Sequence, residues 1–119
     1  MKRSLYLFIC DILENIELIE NTMKDVSKEE FELDKDKIDA IVRRIEIIGE
    51  AAKNIPSFFR VKYQEVPWKD IAGMRDVIIH SYFRVDLNAV WRTIKEDLPV
   101  LRKQMEKIKK EMKKGMCLA

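Results

Sequence analysis

The apolar residues Leu87, Trp91, Ile94, Leu98, Leu101, Met105, Ile108 and Met112 recur alternately four and three positions apart. This spacing puts all of them on one face of an α-helix, whereas a strand would need alternation in twos. So long a stripe must be covered by an apolar partner of similar length. Two other stretches qualify. Leu5, Phe8, Ile9, Ile12, Ile16, Ile19 and Met23 predict a helix over residues 4–24, and Ile38, Ile41, Val42, Ile45, Ile48, Ala52 and Ile55 predict another over residues 35–54. With only three Gly and three Pro against 47% hydrophobic and 37% charged residues, turns are too scarce for a sandwich or barrel. The expected fold class is all-α: an up-and-down helical bundle of four to five helices.

At 119 residues the chain is one domain, expected over residues 1–114, with a tail at 115–119 that Gly115 predisposes to fray. Ser27 and Glu30 have capping-box spacing and predict a short helical turn before the polar connection at Asp34. Pro56 and Pro67 each suit the start of a helix, predicted over residues 57–64 and 68–83. Asp86 is a good N-cap for the last helix, and Pro99 inside that helix predicts a kink near Lys95. Gly49 either marks the close approach of another helix or is merely tolerated. The narrow seam of the last helix suits packing between long antiparallel neighbours and predicts oligomerisation, unless the chain's own helices absorb it.

No apolar run approaches the roughly 20 residues that span a bilayer, and the opening segment meets charge too early for a signal peptide. A cytoplasmic protein without membrane contact is expected. Cys10 and Cys117 fit no metal spacing and no disulfide framework. Net charge is only +2, but residues 102–114 carry seven cations against Glu106 and Glu111, a run able to attract phosphate.

Imidazole chemistry is confined to His80, the single histidine. It lies in Arg75-Asp76-Val77-Ile78-Ile79-His80-Ser81-Tyr82, where polar functional groups crowd among apolar ones. On an ideal helix Arg75 and Tyr82 share a face about 10 Å apart, with His80 turned about 140° from Arg75. A site using both therefore needs a distorted helix end or a second, two-fold-related copy. Two copies would bring two imidazoles and two guanidiniums to one cleft: an acid, a base and stabilisers for a five-coordinate phosphorus. Against this, a lone histidine near a helix end is commonly structural, and Asp76 also reads as a solvated charge and Tyr82 as an interface aromatic. Trp68 and Trp91 fall on apolar stripes and read as core anchors. Glu46 and Glu50, one turn apart, repel unless a cation such as the site arginine comes between them. No phosphate loop, zinc cluster or separate nucleophile–base pair is present, so no cofactor and no metal are expected.

The residues Arg75, His80 and Tyr82 match R-x-x-x-x-H-x-Y, and the surrounding IIGEAAKNIP (47–56), VPWKDIAGMRDVIIHSYF (66–83) and VDLNAVWRTIKEDLPVLRKQ (85–104) extend the match over most of the chain. In these features the sequence resembles the HEPN superfamily and, more narrowly, its HepT-like toxins. The resemblance implies a HEPN-like bundle forming a two-fold homodimer, with higher assembly left open, that acts as a metal-independent endoribonuclease on RNA. It assigns catalysis to Arg75 and His80, with Asp76 assisting or orienting them. Tyr82 corresponds to the tyrosine on which a cognate minimal nucleotidyltransferase antitoxin places AMP, silencing the nuclease. A non-catalytic helical partner of such a nucleotidyltransferase is the alternative.

Overall fold

Each of the first three helices begins where the sequence supplies a side-chain acceptor for an otherwise unpaired backbone N–H. Ser4 accepts from Leu7 N to open α1 (Leu5–Met23). Ser27 and Glu30 form the expected capping box of α2 (Lys28–Leu33), and Asp34 accepts from Lys37 N to start α3 (Lys35–Lys53). Short helices α4 (Ser57–Lys62) and α5 (Trp68–Ala72) follow Pro56 and Pro67. After α6 (Met74–Ile78) come two paired strands, β1 (Ile79–Ser81) and β2 (Arg84–Val85), then α7 (Leu87–Arg92), a π-helical stretch Thr93–Asp97, and α8 (Leu98–Leu118). The computed structural model describes residues 3–81 and 84–118.

The helices run up, down, up and down. Leu5 and Phe8 of α1 line one cleft with Asn54 and Pro56, and Asn15 meets Arg44, so α1 and α3 are antiparallel. Arg75 of α6 meets Glu46, while Gly49 faces Ala72, which sets α5 and α6 antiparallel to α3. Arg102 reaches Glu17 and Glu20, and Tyr63 bonds Glu111 near the far end of α8, so the last helix closes the bundle against α1. All-α architecture with one small hairpin is the result.

Two expectations need correction. First, the helix expected over 68–83 is interrupted at Gly73 and ends at Ile78, where the chain turns extended. Val77, Ile78 and Ile79 are consecutive β-branched residues, which weaken a helix and favour a strand. Second, the expected kink at Pro99 takes the form of the π-helical stretch: Leu98 N donates to Thr93 O, five residues back. The inserted residue shifts the ladder just before the proline, whose ring and missing N–H would otherwise conflict with the preceding turn. Of the two readings left open for the long seam, it is the chain's own helices that cover Ile94, Leu98, Leu101, Met105 and Ile108, all buried in the core. α8 runs through Gly115 to Leu118.

The core joins these residues to Ile9, Ile12, Ile16 and Ile19 of α1 and Ile41, Ile45 and Ile48 of α3. Each such side chain contributes about 1.5–3 kcal/mol through burial. Trp68 is buried and donates its indole N–H to Tyr63 O at 3.0 Å, as suits a core anchor. Trp91 is half-buried against Phe31 with Lys95 over its ring. Gly49 does mark a close approach: a Cβ there would lie 3.4 Å from the carbonyl oxygens of Ile71 and Ala72. Cys10 is a free thiol, and the side chain of Cys117 lies outside the described residues.

Two stability outcomes follow from this packing. Gly49→Ala is expected to fold with unchanged or slightly raised stability, the contact being ordinary and alanine favouring helix by about 1 kcal/mol. Gly49→Val drives methyl groups into the backbone of α5 and is expected to lose about 1–3 kcal/mol in urea unfolding. The second outcome concerns Tyr63, whose phenol is pushed from 10.0 up to about 12, first by burial and then by its hydrogen bond to Glu111. Above pH 10 the unfolded chain releases this proton and the folded chain does not. Stability present below pH 10 should therefore be lost between pH 10 and about 12. Thermal melts across that interval should show a steeper decline for the parent than for Tyr63→Phe.

Candidate active site

The break after Ile78 decides where the signature side chains go. Arg75 stays on α6 and His80 moves onto β1, so the two are no longer set by the angles of one helix. The turn is closed by backbone bonds: Asp86 N donates to Ile78 O at 2.7 Å, and Ile79 pairs with Val85. Ile78 beneath is fully buried, while the His80 side chain is 59% exposed. A histidine in this position is anchored by its backbone and open to solute.

His80 Nε2 lies 3.0 Å from Asp86 Oδ2. The other carboxylate oxygen, Oδ1, accepts from Ala89 N at 3.0 Å and caps α7, as the sequence predicted. Asp86 is held below the ordinary carboxylate range, first by the Ala89 N–H and then by the His80 hydrogen bond. It is therefore an ionised acceptor at neutral pH.

Arg75 is half-exposed and turns toward α3, with Nε 3.5 Å from Glu46 Oε2. Glu50, the other member of the carboxylate pair, goes instead to Lys53 at 3.2 Å. Asp76 lies only loosely against Arg75, at 3.9 Å, and its side chain is 85% exposed. Among the described residues no hydrogen bond or ion pair joins Arg75 or Asp76 to His80; the carboxylate on the imidazole belongs to Asp86. Tyr82 lies outside the described residues. Among the described residues no group of three or more His, Cys, Asp or Glu side chains is placed to hold a metal ion, and no helix is long and apolar enough to cross a membrane.

Sequence reasoning singled out Arg75 and His80 as candidates, left Glu46 open as a partner of the arginine, and read Asp86 only as a helix cap. The available signal was the short interval between His80 and Asp86, together with the β-branched run that breaks the helix. An intact helix through residue 83 hid it. The basic run lies away from this corner. Arg102 is engaged with Glu17, Glu20 and Glu106, and roughly 40 Å of helix separates residue 87 from Lys114. In a molecule 50 Å long, Lys113 and Lys114 stand at the end remote from His80.

The ribonuclease HepT-like family matches residues 12–108 of this chain. A protein of Thermococcus cleftensis named "probable ribonuclease HepT" is 47% identical over 110 residues, covering 92% of this chain and 100% of its own length. A Methanocaldococcus jannaschii protein named "gamma-glutamylcyclotransferase and putative RNase" is 46% identical over 115 residues, which are 97% of this chain but 52% of that protein, so this chain spans about half of it. A third relative, a "putative RNase" of Caldanaerobacter subterraneus subsp. tengcongensis, is 47% identical over 97 residues, 82% of this chain and 87% of its own. No solved structure matches the chain. The extent of the family match, together with relatives of similar length at this level of identity, establishes that the chain belongs to the ribonuclease HepT-like family.

Proposed function

We propose that this protein is a metal-independent endoribonuclease, acting as a two-fold homodimer in which paired Arg75 and His80 residues line a cleft for RNA. The observation that carries the reading is His80 itself, exposed on a backbone-anchored hairpin and hydrogen-bonded to a carboxylate, in a chain whose relatives are named ribonucleases. A neutral His80 takes the proton from a ribose 2′-hydroxyl, the 2′-oxygen forms a bond to phosphorus, and the bond to the 5′-oxygen breaks. The second His80, protonated, donates to that leaving oxygen. Products are a 2′,3′-cyclic phosphate and a 5′-hydroxyl. Arg75 balances the charge on the five-coordinate phosphorus, and Asp76 acts beside Arg75.

Subunit pairing at this corner would cover Val77, an apolar side chain 57% exposed between Arg75 and His80 in sequence. In this reading the protein is the toxin of a toxin–antitoxin pair. A cognate minimal nucleotidyltransferase would transfer AMP to Tyr82, adding an anionic phosphate beside the arginines and blocking RNA.

The test is cleavage of a single-stranded RNA by the purified protein in excess chelator. The parent is expected to cut, leaving cyclic-phosphate ends, and to elute with the mass of two chains. His80→Ala should lose at least about 100-fold in rate, in line with removal of a general acid–base group, with an unchanged circular dichroism spectrum. A His80→Ala protein that cuts as fast as the parent removes the catalytic assignment. Stable capture of a nucleotidyltransferase without any cleavage would instead make the protein a docking partner.

A further inference from the structure

We propose that Asp86 is the positioning residue of this site: it fixes the tautomer of His80 with the proton on Nε2, leaving Nδ1 as the nitrogen that exchanges protons with substrate. The role of that free nitrogen rests on the ribonuclease reading above; the tautomer does not.

The geometry is specific. Asp86 is held at both carboxylate oxygens and at its backbone: Oδ1 by Ala89 N–H, Oδ2 at 3.0 Å from His80 Nε2, and its own N–H on Ile78 O. His80 is fixed on β1, whose Ile79 pairs with Val85 immediately before Asp86. The acceptor and the ring are thus joined by one short hairpin and a helix cap, so the contact needs no additional ordering of long side chains. An ionised carboxylate only accepts hydrogen bonds, which makes Nε2 the donor and puts the lone pair of the neutral imidazole on Nδ1. The same carboxylate stabilises the imidazolium that forms when Nδ1 takes a proton. Asp76, the residue beside Arg75, makes no such contact. Arg92 on α7 also acts on Asp86 through its charge. The carboxylates on α3 and α6, Glu46 and Asp76, lie against Arg75, and among the described residues Asp86 is the carboxylate paired with the ring.

With a single histidine in the chain, the imidazole signals in a long-range proton–nitrogen NMR spectrum belong to His80 alone. The free parent protein is expected to show a protonated Nε2 and an unprotonated Nδ1 above the titration of the ring. Asp86→Asn keeps an oxygen to cap Ala89 but offers an amide N–H toward Nε2, which should move the proton to Nδ1. Asp86→Ser retains the cap and is too short to reach the ring, and should give mixed tautomers. Both should keep the parent's circular dichroism. In RNA cleavage, kcat of Asp86→Asn should fall about 10²–10⁴-fold with KM within about twofold, the upper figure being that of the same exchange behind a protease histidine. A parent spectrum with the proton on Nδ1, or an Asp86→Asn spectrum identical to the parent's, overturns the proposal. If the tautomer switches as expected and neither protein cuts RNA, the positioning role stands and the ribonuclease reading falls, so the two fail separately.

Discussion

The corner at which the chain leaves α6 and enters α7 determines what this bundle can present to solution. Three bonds of Asp86 hold it: one to the carbonyl of Ile78, one to the amide of Ala89, one to the ring of His80. The first ends a helix, the second begins another, and the third orients the functional group between them. Because Ile78 and Val90 are fully buried on either side, the corner is tied to the core at both ends. A helix continuing past Ile78 would have carried His80 around its axis, without the hairpin that returns Asp86 to the ring.

The bundle was legible because its information is local and periodic. Spacings in α1, α3 and the last helix name most of the residues that are buried there, and Ser27 and Asp86 cap helices as their positions predicted. What was not legible depended on competition between neighbours. Val77, Ile78 and Ile79 satisfy a helical apolar pattern and a strand preference equally well, and the pattern alone favoured the wrong outcome for residues 79–81. Pro99 signalled a disturbance but not its form, since a kink and an inserted residue relieve the same clash. The seam left its cover open because periodicity specifies that a face is covered, not whether the cover comes from the same chain.

Buried polar groups mark the other limit. Asn15 lies on the apolar face of α1, where sequence spacing gives no reason for it, yet it donates to Asp11 O and accepts from Arg44 of α3. Thr93 is buried at the start of the π-helical stretch and returns its hydroxyl to Ala89 O. Both are satisfied, as burial of polar groups requires. Their partners are a residue on another helix and a backbone carbonyl one turn away, neither of which a hydrophobic repeat records.

Arg75 and His80 are held by different means, and the difference fits the two tasks proposed for them. His80 faces an acceptor fixed by the backbone. Arg75 faces Glu46 across a solvent-accessible gap of 3.5 Å, and exposed pairs of that kind are worth about 0–1 kcal/mol. A proton-transfer group profits from one fixed tautomer, because the wrong one removes the lone pair that the reaction needs. A cation meant for a phosphate profits from a partner it can leave at small cost, one that holds the guanidinium near the corner until a more strongly charged oxygen replaces it. Glu46 supplies such a partner from α3, the helix that packs closely against α5 through Gly49. The helix break supplies a distorted helix end within one chain, and there Arg75 and His80 keep separate carboxylate partners, Glu46 and Asp86. A second subunit, in this reading, adds the opposite protonation state of the same imidazole, which no single His80 can supply to both oxygens of one phosphodiester at once.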